Sequence, residues 1–235
     1  MLRPSETQAA IGIRLTEWMP QLFSSSANTI VYAGAIGALV GGATLVWAVV
    51  ELTWSSYTTR VETVLYQPVP FSHQHHVGGL GIDCRYCHTS VETAGSAGIP
   101  STETCMTCHS QIWTKAPVLQ PVRDSYATGA PLEWNRVHDL PGFVYFNHSI
   151  HVKKGVACME CHGRVDEMPL IAKQQTLYMK WCLDCHRHPE SSLVRTEDVF
   201  QMATLPTASS ETISTWMKER KVRSTTITDC TACHR

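Results

Sequence analysis

Apolar residues form one long uninterrupted stretch near the start of the chain and are scattered everywhere else. The stretch at residues 29–50, TIVYAGAIGALVGGATLVWAVV, contains no charged side chain, and about 20 such residues allow a helix to cross a bilayer. Its many Gly and Ala residues are common in membrane spans, where they let a partner helix approach closely. Tyr32, Trp47 and Trp54 are suited to the membrane–water interface. The pattern predicts one transmembrane helix.

Two other interpretations of this stretch are open at the level of sequence. A secretory signal peptide has a shorter apolar core and ends at a cleavage site with small residues, and VVELTWSSYTT offers no convincing site. A buried helix of a soluble domain rarely has so many consecutive uncharged residues. We therefore expect an uncleaved anchor at residues 29–50, preceded by a segment at residues 1–28 and followed by a domain at residues 51–235.

The domain after the anchor gives few strand signals. It has no long alternation of apolar and polar residues, and Gly and Pro interrupt it often. SSETISTWMKERK, at residues 209–221, has apolar residues at helical spacing after a serine that can cap it, and predicts a helix. Residues 110–141 contain four prolines and are expected to be irregular. The expected fold class is mainly α and irregular, with short helices and loops.

One template occurs twice in this domain. FSHQHHVGGLGIDCRYCH begins at Phe71 and FNHSIHVKKGVACMECH at Phe146, so each copy runs Phe-x-His-x-x-His, a Gly-containing loop and then Cys-x-x-Cys-His. A connector of under twenty residues and a second Cys-x-x-Cys-His complete each copy, at about residues 71–109 and 146–186. A fifth Cys-x-x-Cys-His stands alone at residues 230–234. The domain is an internal duplication with one extra motif.

The cysteines indicate which cofactor the repeat binds. All ten belong to the five motifs and none is left over. Cys-x-x-Cys-His attaches c-type haem: the two thiols form thioether bonds, and the adjacent His ligates the iron. We therefore expect five covalent haems, with the porphyrins supplying much of the apolar core. The predicted attachment residues are Cys84, Cys87, Cys105, Cys108, Cys158, Cys161, Cys182, Cys185, Cys230 and Cys233.

Three other uses of paired cysteines fit less well. Disulfides give no reason for a His after every second Cys. Five Cys-x-x-Cys pairs do not divide into four-ligand zinc sites without a remainder. A thioredoxin-like redox site needs one such pair in a βαβ setting.

The histidines provide enough axial ligands for five irons. The proximal ligands are expected to be the motif histidines His88, His109, His162, His186 and His234. The repeat supplies four distal candidates by symmetry. Because residues i and i+3 of a helical turn share a face and diverge slightly, one short element can serve two neighbouring haems. These distal candidates are His73, His76, His148 and His151.

The repeated template supplies no fifth distal ligand. His138 and Met179 are the candidates, and we expect at least one of them to be used. Methionine would raise the reduction potential of its haem relative to bis-histidine ligation. His75 has no counterpart in the second copy, where Ile150 occupies its place, and His188 is expected to face solvent. No catalytic residue is predicted.

Charge bears on partners and on membrane orientation. The net charge is −1 and the chain has no long run of Lys or Arg, so nothing points to nucleic acid. Arg3 and Arg14 precede the span and only Arg60 follows it closely, which is a weak positive-inside bias. Haem c is attached outside the cytoplasmic membrane in bacteria. Both arguments put residues 51–235 on the periplasmic side and residues 1–28 in the cytoplasm.

The arrangement of these motifs resembles a known family. Five haem motifs behind one span, together with FSHQHHV, WNRVHDLPGFVYFNHSIHVKKGVACMECHG and LYMKWCLDCHR, resemble the pentahaem cytochrome c subunit of alternative complex III, from the anchor to His234. The Phe-x-His-x-x-His unit alone is similar to that of small multihaem cytochromes of the c3 and c7 kinds. The resemblance implies a membrane complex in which a polytopic subunit oxidises quinol beside an iron–sulfur subunit and other cytochrome subunits. This chain would pass the electrons to a periplasmic acceptor or a terminal oxidase.

Three functions are compatible with the sequence. An electron-transfer subunit with five six-coordinate haems needs no open iron and would not be catalytic alone, and the surplus of His and Met favours it. A stand-alone, membrane-anchored quinol dehydrogenase feeding a soluble reductase would have four haems and different ligands. A multihaem reductase needs one open iron and often has an altered motif, whereas all five motifs here end in His.

Overall fold

The structure is a computed structural model that describes residues 23–203, 208–223 and 226–234. The chain divides into two compact units, Met1–Trp54 and Ser55–Arg235. Most of the predicted cytoplasmic segment, at residues 1–22, lies outside the described residues.

The described part of the first unit contains one long helix, α1, at Ala27–Trp54. It extends beyond the predicted span at both ends, because a charged residue such as Glu51 ends an apolar run without ending a helix. None of its residues is buried, so the interpretation as a core helix gains no support. Within the described residues, α1 is the one helix long and apolar enough to cross a membrane, judged by length and composition.

The second unit is built from short helices and loops, as the sequence predicts. The residues described include no strand, only four isolated bridges: Val61 with Lys173, Val64 with Ala172, Val144 with His234, and Val156 with Leu193. Four 3-10 turns and one turn of π-helix supplement the α-helices. The helices are α2 at Ser56–Thr59, α3 at Cys84–Cys87, α4 at Thr102–His109, α5 at Gln120–Thr128, α6 at His148–Lys154, α7 at Cys158–His162, α8 at Met179–Arg187, α9 at Ser210–Glu219 and α10 at Cys230–Cys233.

The side chains of the second unit bury little apolar surface among themselves. Val199 is the largest side chain that is fully buried in the described residues. A domain of this size normally buries most of the surface that its unfolded chain exposes. The scarcity fits a domain whose apolar core is completed by large cofactors. The other buried apolar residues described are Val69, Val91, Val122, Ala157, Ala172, Leu193 and Met202.

Each Phe-x-His-x-x-His template forms a compact aromatic unit. In the first copy, the Phe71 ring meets the His73 ring edge-on at 4.9 Å and stacks on the His76 ring at 4.4 Å between centroids. In the second copy, Phe146 does the same with His148 at 4.7 Å and with His151 at 4.5 Å. The shared geometry explains why the sequence repeats phenylalanine together with both histidines.

The residue after each phenylalanine caps the turn that carries the histidines. The Ser72 hydroxyl accepts a hydrogen bond from the backbone N–H of His75 at 3.1 Å. In the second copy, the Asn147 side chain accepts one from the N–H of Ile150 at 3.4 Å, at the start of α6. Ser and Asn are favoured at this position because their oxygen satisfies an N–H at the start of a helix. Ser72 thus precedes a π-helical turn in the first copy, and Asn147 precedes an α-helix in the second.

The two copies interlock. The backbone N–H groups of His148 and Ser149, at the start of α6, donate to the carbonyls of Gly95 and Ala94 in the first copy. In the opposite direction, the N–H of Gln74 donates to the carbonyl of Met168 in the second copy at 2.9 Å. Each template is therefore held by backbone groups of the other copy.

The expectation for residues 110–141 is wrong in part. A 3-10 turn at Pro117–Leu119 leads directly into α5. Pro121 lies in the first turn of α5, where the missing N–H costs nothing because that group would have no partner within the helix. Gly129, with φ of 73°, ends the helix in the left-handed conformation. Pro117 and Pro121 start elements here instead of breaking them, whereas Pro131 and Pro141 lie in irregular chain as expected.

The helix expected at residues 209–221 is confirmed. It forms α9, and the Ser209 side chain accepts a hydrogen bond from the N–H of Thr212 as its cap. Arg220 follows α9 and donates to the carbonyls of Lys154 and Val194. These bonds fasten the end of α9 beside Gly155, where α6 ends.

Candidate haem sites

Each cysteine pair lies on one turn of helix. The pairs fall on α3, α4, α7, α8 and α10, and a spacing of three residues puts both thiols on the same side of the turn. None of the ten cysteines forms a disulfide. Among the residues that the structure describes, no group of three or more His, Cys, Asp or Glu side chains is arranged to hold a bare metal ion. The alternatives of a disulfide framework and zinc ribbons therefore gain no support.

Three pairs of histidine rings test the fit to haem iron. An imidazole nitrogen lies about 2 Å from a metal that it ligates, so two rings on opposite sides of one iron have centroids ~6 Å apart. The rings of three pairs match this separation, and each pair joins a repeat histidine to a motif histidine. They are His76 with His109 at 6.3 Å, His148 with His162 at 6.4 Å, and His151 with His186 at 6.1 Å.

His73 completes the symmetry of these pairs. Burial lowers its pKa to about 4, and His88 has the largest electrostatic effect on it among the neighbouring side chains. The first histidine of each template thus lies near the first motif of its copy. The second lies near the second motif.

Hydrogen bonds at Nδ1 orient most of these rings. An N–H at Nδ1 that donates to a backbone carbonyl fixes the tautomer and leaves Nε2 available to a metal. The seven Nδ1 contacts are His76 with Ser72 at 2.8 Å, His88 with Gly98 at 2.7 Å, His109 with Ile112 at 3.3 Å, His148 with Gly95 at 2.9 Å, His151 with Asn147 at 2.8 Å, His186 with Ile227 at 3.0 Å and His234 with Phe143 at 3.2 Å.

Burial keeps the central imidazoles in the neutral form that ligates iron. It lowers the pKa of His162 to about 3, and among the neighbouring side chains His138 has the largest electrostatic effect on that pKa. Burial also lowers the pKa of His151. A charged ring would lose its hydration here and repel the neighbouring histidines. The histidines of the cluster therefore stay neutral, so each ring keeps one nitrogen lone pair that can bind a metal.

The thiols of the third motif are the most deeply buried. Burial raises the pKa of Cys158 and of Cys161 to about 12. The polypeptide therefore holds both as neutral thiols. Thioether formation removes the titratable proton and leaves an apolar linkage, which suits such a site.

His138 lies within the cluster but does not have the separation of an axial pair. Its ring centroid is 4.2 Å from that of His162, too close for ligands on opposite sides of one iron. Burial lowers its pKa to about 4. Its Nε2 is buried and has no hydrogen-bond partner. The same is true of the Nδ1 of His73. Such orphaned nitrogens are uncommon unless they face a group that the polypeptide does not supply.

The remaining predicted residues lie further out. Met179 is the first residue of α8 and is 66% exposed. His188 is exposed, as expected, beside Glu190. His75 is also exposed, and its ring stacks against Trp113 with 6.4 Å between centroids.

The comparison with known proteins identifies the class of domain. A family model described as cytochrome c7 and related cytochrome c matches residues 144–235. The chain carries a multihaem cytochrome c domain. The matched part of this cytochrome c domain begins just before the second template and includes the last three motifs.

One curated protein gives a longer match. It is the multiheme cytochrome c subunit of a menaquinone reductase from Nitratidesulfovibrio vulgaris, and it is 33% identical over 132 residues. The aligned part is 56% of this chain and 57% of the relative. The chain thus spans just over half the length of that protein.

Sequence reasoning missed the groups that orient the candidate ligands. The carbonyls of Gly95, Gly98 and Ile227 belong to loops, and no residue type marks a carbonyl that will accept a bond from a distant ring. The caps Ser72 and Asn147 had a signal, since both are cap-forming residues at the same place in the two templates.

Proposed function

We propose that the chain is an electron-transfer subunit that carries five c-type haems for a membrane-bound, quinone-linked complex. The observation that carries the proposal is the set of ring pairs 6.1–6.4 Å apart, each joining a template histidine to a motif histidine. Two axial ligands on an iron favour electron transfer over substrate binding, because no coordination position is left open. Haem supplies a reversible one-electron carrier where it is bound.

The residues of the chain hold, orient and shield these groups. The cysteines of each motif would bind one porphyrin, and the four template histidines would be distal ligands in the order His73 to the first motif, His76 to the second, His148 to the third and His151 to the fourth. The backbone carbonyls at Nδ1 would keep His76, His148 and His151 in the ligating tautomer. The phenylalanine of each template packs against both rings.

For the fifth iron, with His234 as proximal ligand, we propose Met179 as the distal ligand. His138 packs against His162, and the 6.4 Å between the His148 and His162 ring centroids supports His148 as the distal ligand there. Cys182, one turn after Met179 on α8, interacts electrostatically with Cys233 of the fifth motif. The start of α8 is therefore near the fifth site. A methionine ligand would raise the potential of this haem relative to bis-histidine ligation.

The first experiment is low-temperature EPR of the oxidised protein with a haem count on the same sample. We expect five haems and only low-spin signals. Replacing Met179→Leu should convert one haem to high spin, whereas His138→Gln should leave all five low-spin. A stoichiometric high-spin signal in the unmodified protein that shifts with nitrite would refute the conduit and favour a reductase.

Two directions of electron flow through the complex are open to test. The resemblance to alternative complex III implies electrons moving from quinol to a periplasmic acceptor or an oxidase, with the iron–sulfur and polytopic subunits as partners. The relative is a subunit of a menaquinone reductase, which favours the opposite direction as the second candidate. Adding menaquinol to the assembled complex separates them: rapid reduction of the haems supports the first, and haems that stay oxidised support the second.

We also propose that α1 is an uncleaved anchor and that the haem domain lies on the periplasmic side. The length and composition of α1 support the anchor, and the attachment chemistry of haem c supports the side. A protease added to intact spheroplasts should digest the haem domain. Protection of the domain until the membrane is broken would refute this orientation.

A further inference from the structure

The residues that follow α1 form a rigid segment of the haem domain. We call residues 56–66 the collar. Its first turn is α2, and Thr59 in that turn is buried. The N–H of Glu62 donates to the carbonyl of Lys173 at 2.7 Å, and Val61 forms a bridge with the same residue. The collar is therefore fixed to the body of the domain and does not act as a loose linker.

Its backbone is strained. Arg60 ends α2 with φ of 57°, and Glu62 has φ of 58°. Left-handed conformations are uncommon for residues other than glycine. Strain of this kind is concentrated at functional sites, where the surrounding structure holds it in place. Two such residues lie within three positions of the collar.

Collar residues line an open groove, and the collar also has two exposed aromatic rings. The groove has a volume of about 650 Å³ and is lined by Ser56, Tyr57, Thr58, Arg60, Thr63 and Leu65. Tyr57 is 86% exposed and Tyr66 is 82% exposed. None of the predicted haem-binding residues belongs to the collar. The hydroxyl groups and the guanidinium suit a phosphodiester. The amphipathic tyrosines suit an apolar chain attached to it.

Two cations lie beside the groove. Burial lowers the pKa of Lys173, Asp139 opposes that shift, and the charge of Arg60 lowers the pKa further. Arg60 is thus close enough to Lys173 for the two charges to repel each other. Asp139 already offsets this repulsion at Lys173, whereas Arg60 lines the groove itself and is placed to meet an anionic group there.

Chain continuity decides which anionic partner is available. Ser56 follows the last residue of α1 by two positions, so it lies within ~7 Å of the end of that helix. If α1 spans a bilayer, the collar begins at the membrane surface. Tyrosine is enriched at that depth, and basic residues there attract acidic lipids. We propose that the collar binds the headgroup of an anionic phospholipid, with Arg60 on the phosphate and Tyr57 and Tyr66 in the interface.

The test uses the full-length, haem-loaded protein in lipid nanodiscs, and it rests on the proposed anchor. A photoreactive p-benzoylphenylalanine replaces Tyr57 in one sample and Tyr126, a half-exposed residue of α5, in a matched control. The nanodiscs contain phosphatidylcholine alone or with phosphatidylglycerol. We expect lipid cross-links at position 57 and none at 126, with a severalfold higher yield when phosphatidylglycerol is present. Arg60→Gln should abolish that increase and leave the haem count and spectrum unchanged.

Three outcomes would overturn the inference. A chain that stays in the nanodiscs without lipid cross-links at position 57 would refute the collar alone. Cross-links at position 57 to another protein only, in native membranes, would mean that a partner subunit covers it. A chain that leaves the nanodiscs altogether would refute the anchor and the collar with it.

Discussion

The contact between the first template and the second copy can be broken with a single methyl group. A Cβ atom added at Gly78 would lie 2.3 Å from the backbone carbonyl oxygen of Asp166. Neither group can rotate away, because Gly78 belongs to the π-helical turn and Asp166 to a 3-10 turn. Forced overpacking costs about 1–3 kcal/mol, and a rigid backbone contact should reach the upper part of that range. In a domain of this size, the midpoint of thermal unfolding should fall by about 5–10 °C.

The neighbouring residue provides a matched control. A Cβ atom at Gly79 would meet only the Gln74 carbonyl at 3.7 Å, an ordinary contact. Gly79→Ala should therefore be neutral or raise stability by up to ~1 kcal/mol. Thermal unfolding of Gly78→Ala, Gly79→Ala and the unmodified protein, each with five haems, makes the comparison. EPR should also show a change at one haem in Gly78→Ala, since His76 is two residues away. Equal unfolding midpoints for the two variants would refute the reasoning.

Three further predictions concern ligation, the end of α6 and acid stability. His76→Ala should convert one low-spin haem to high spin by EPR, whereas His75→Ala should not, and identical spectra would contradict the ligand assignment. Gly155→Ala should lower the free energy of unfolding by about 2 kcal/mol in a denaturant titration, because its φ is 82° and a carbonyl lies 2.7 Å from the added carbon. A hydrogen bond from Arg85 lowers the pKa of Asp83. The Asp83 cap on α3 therefore stabilises the fold at a pH above the unfolded pKa of aspartate, ~3.9. This stabilisation is lost as the pH falls through the lower pKa that Asp83 has in the folded state. Asp83→Asn should therefore flatten the dependence of stability on acid pH.

The sequence predicted what depends on covalent chemistry and on short-range spacing. Cys-x-x-Cys-His is specific because both thiols and the histidine must lie close together, as they do on α4 and α7. The grouping of phenylalanine with two histidines could be recognised from sequence because Phe146 contacts residues only two and five positions away. The α9 helix was found from its cap and its apolar spacing.

What the sequence could not supply depends on distant parts of the chain. Which motif each template histidine faces is decided by contacts such as that between His151 and His186, 35 positions apart in sequence. The place of His138 against His162 has no local signal either. The α5 helix was missed because prolines were weighed as breakers, although Pro121 lies where a helix tolerates it.

The interlocking of the two templates limits how such a chain can change length over evolution. In a solenoid, repeats touch only their neighbours, so whole units can be gained or lost. Here, His148 depends on Gly95, and Gln74 depends on Met168. Excising either copy would leave the other without the backbone partners that hold its histidines. We therefore expect new haems to be added outside the pair of copies and the duplicated core to be inherited whole.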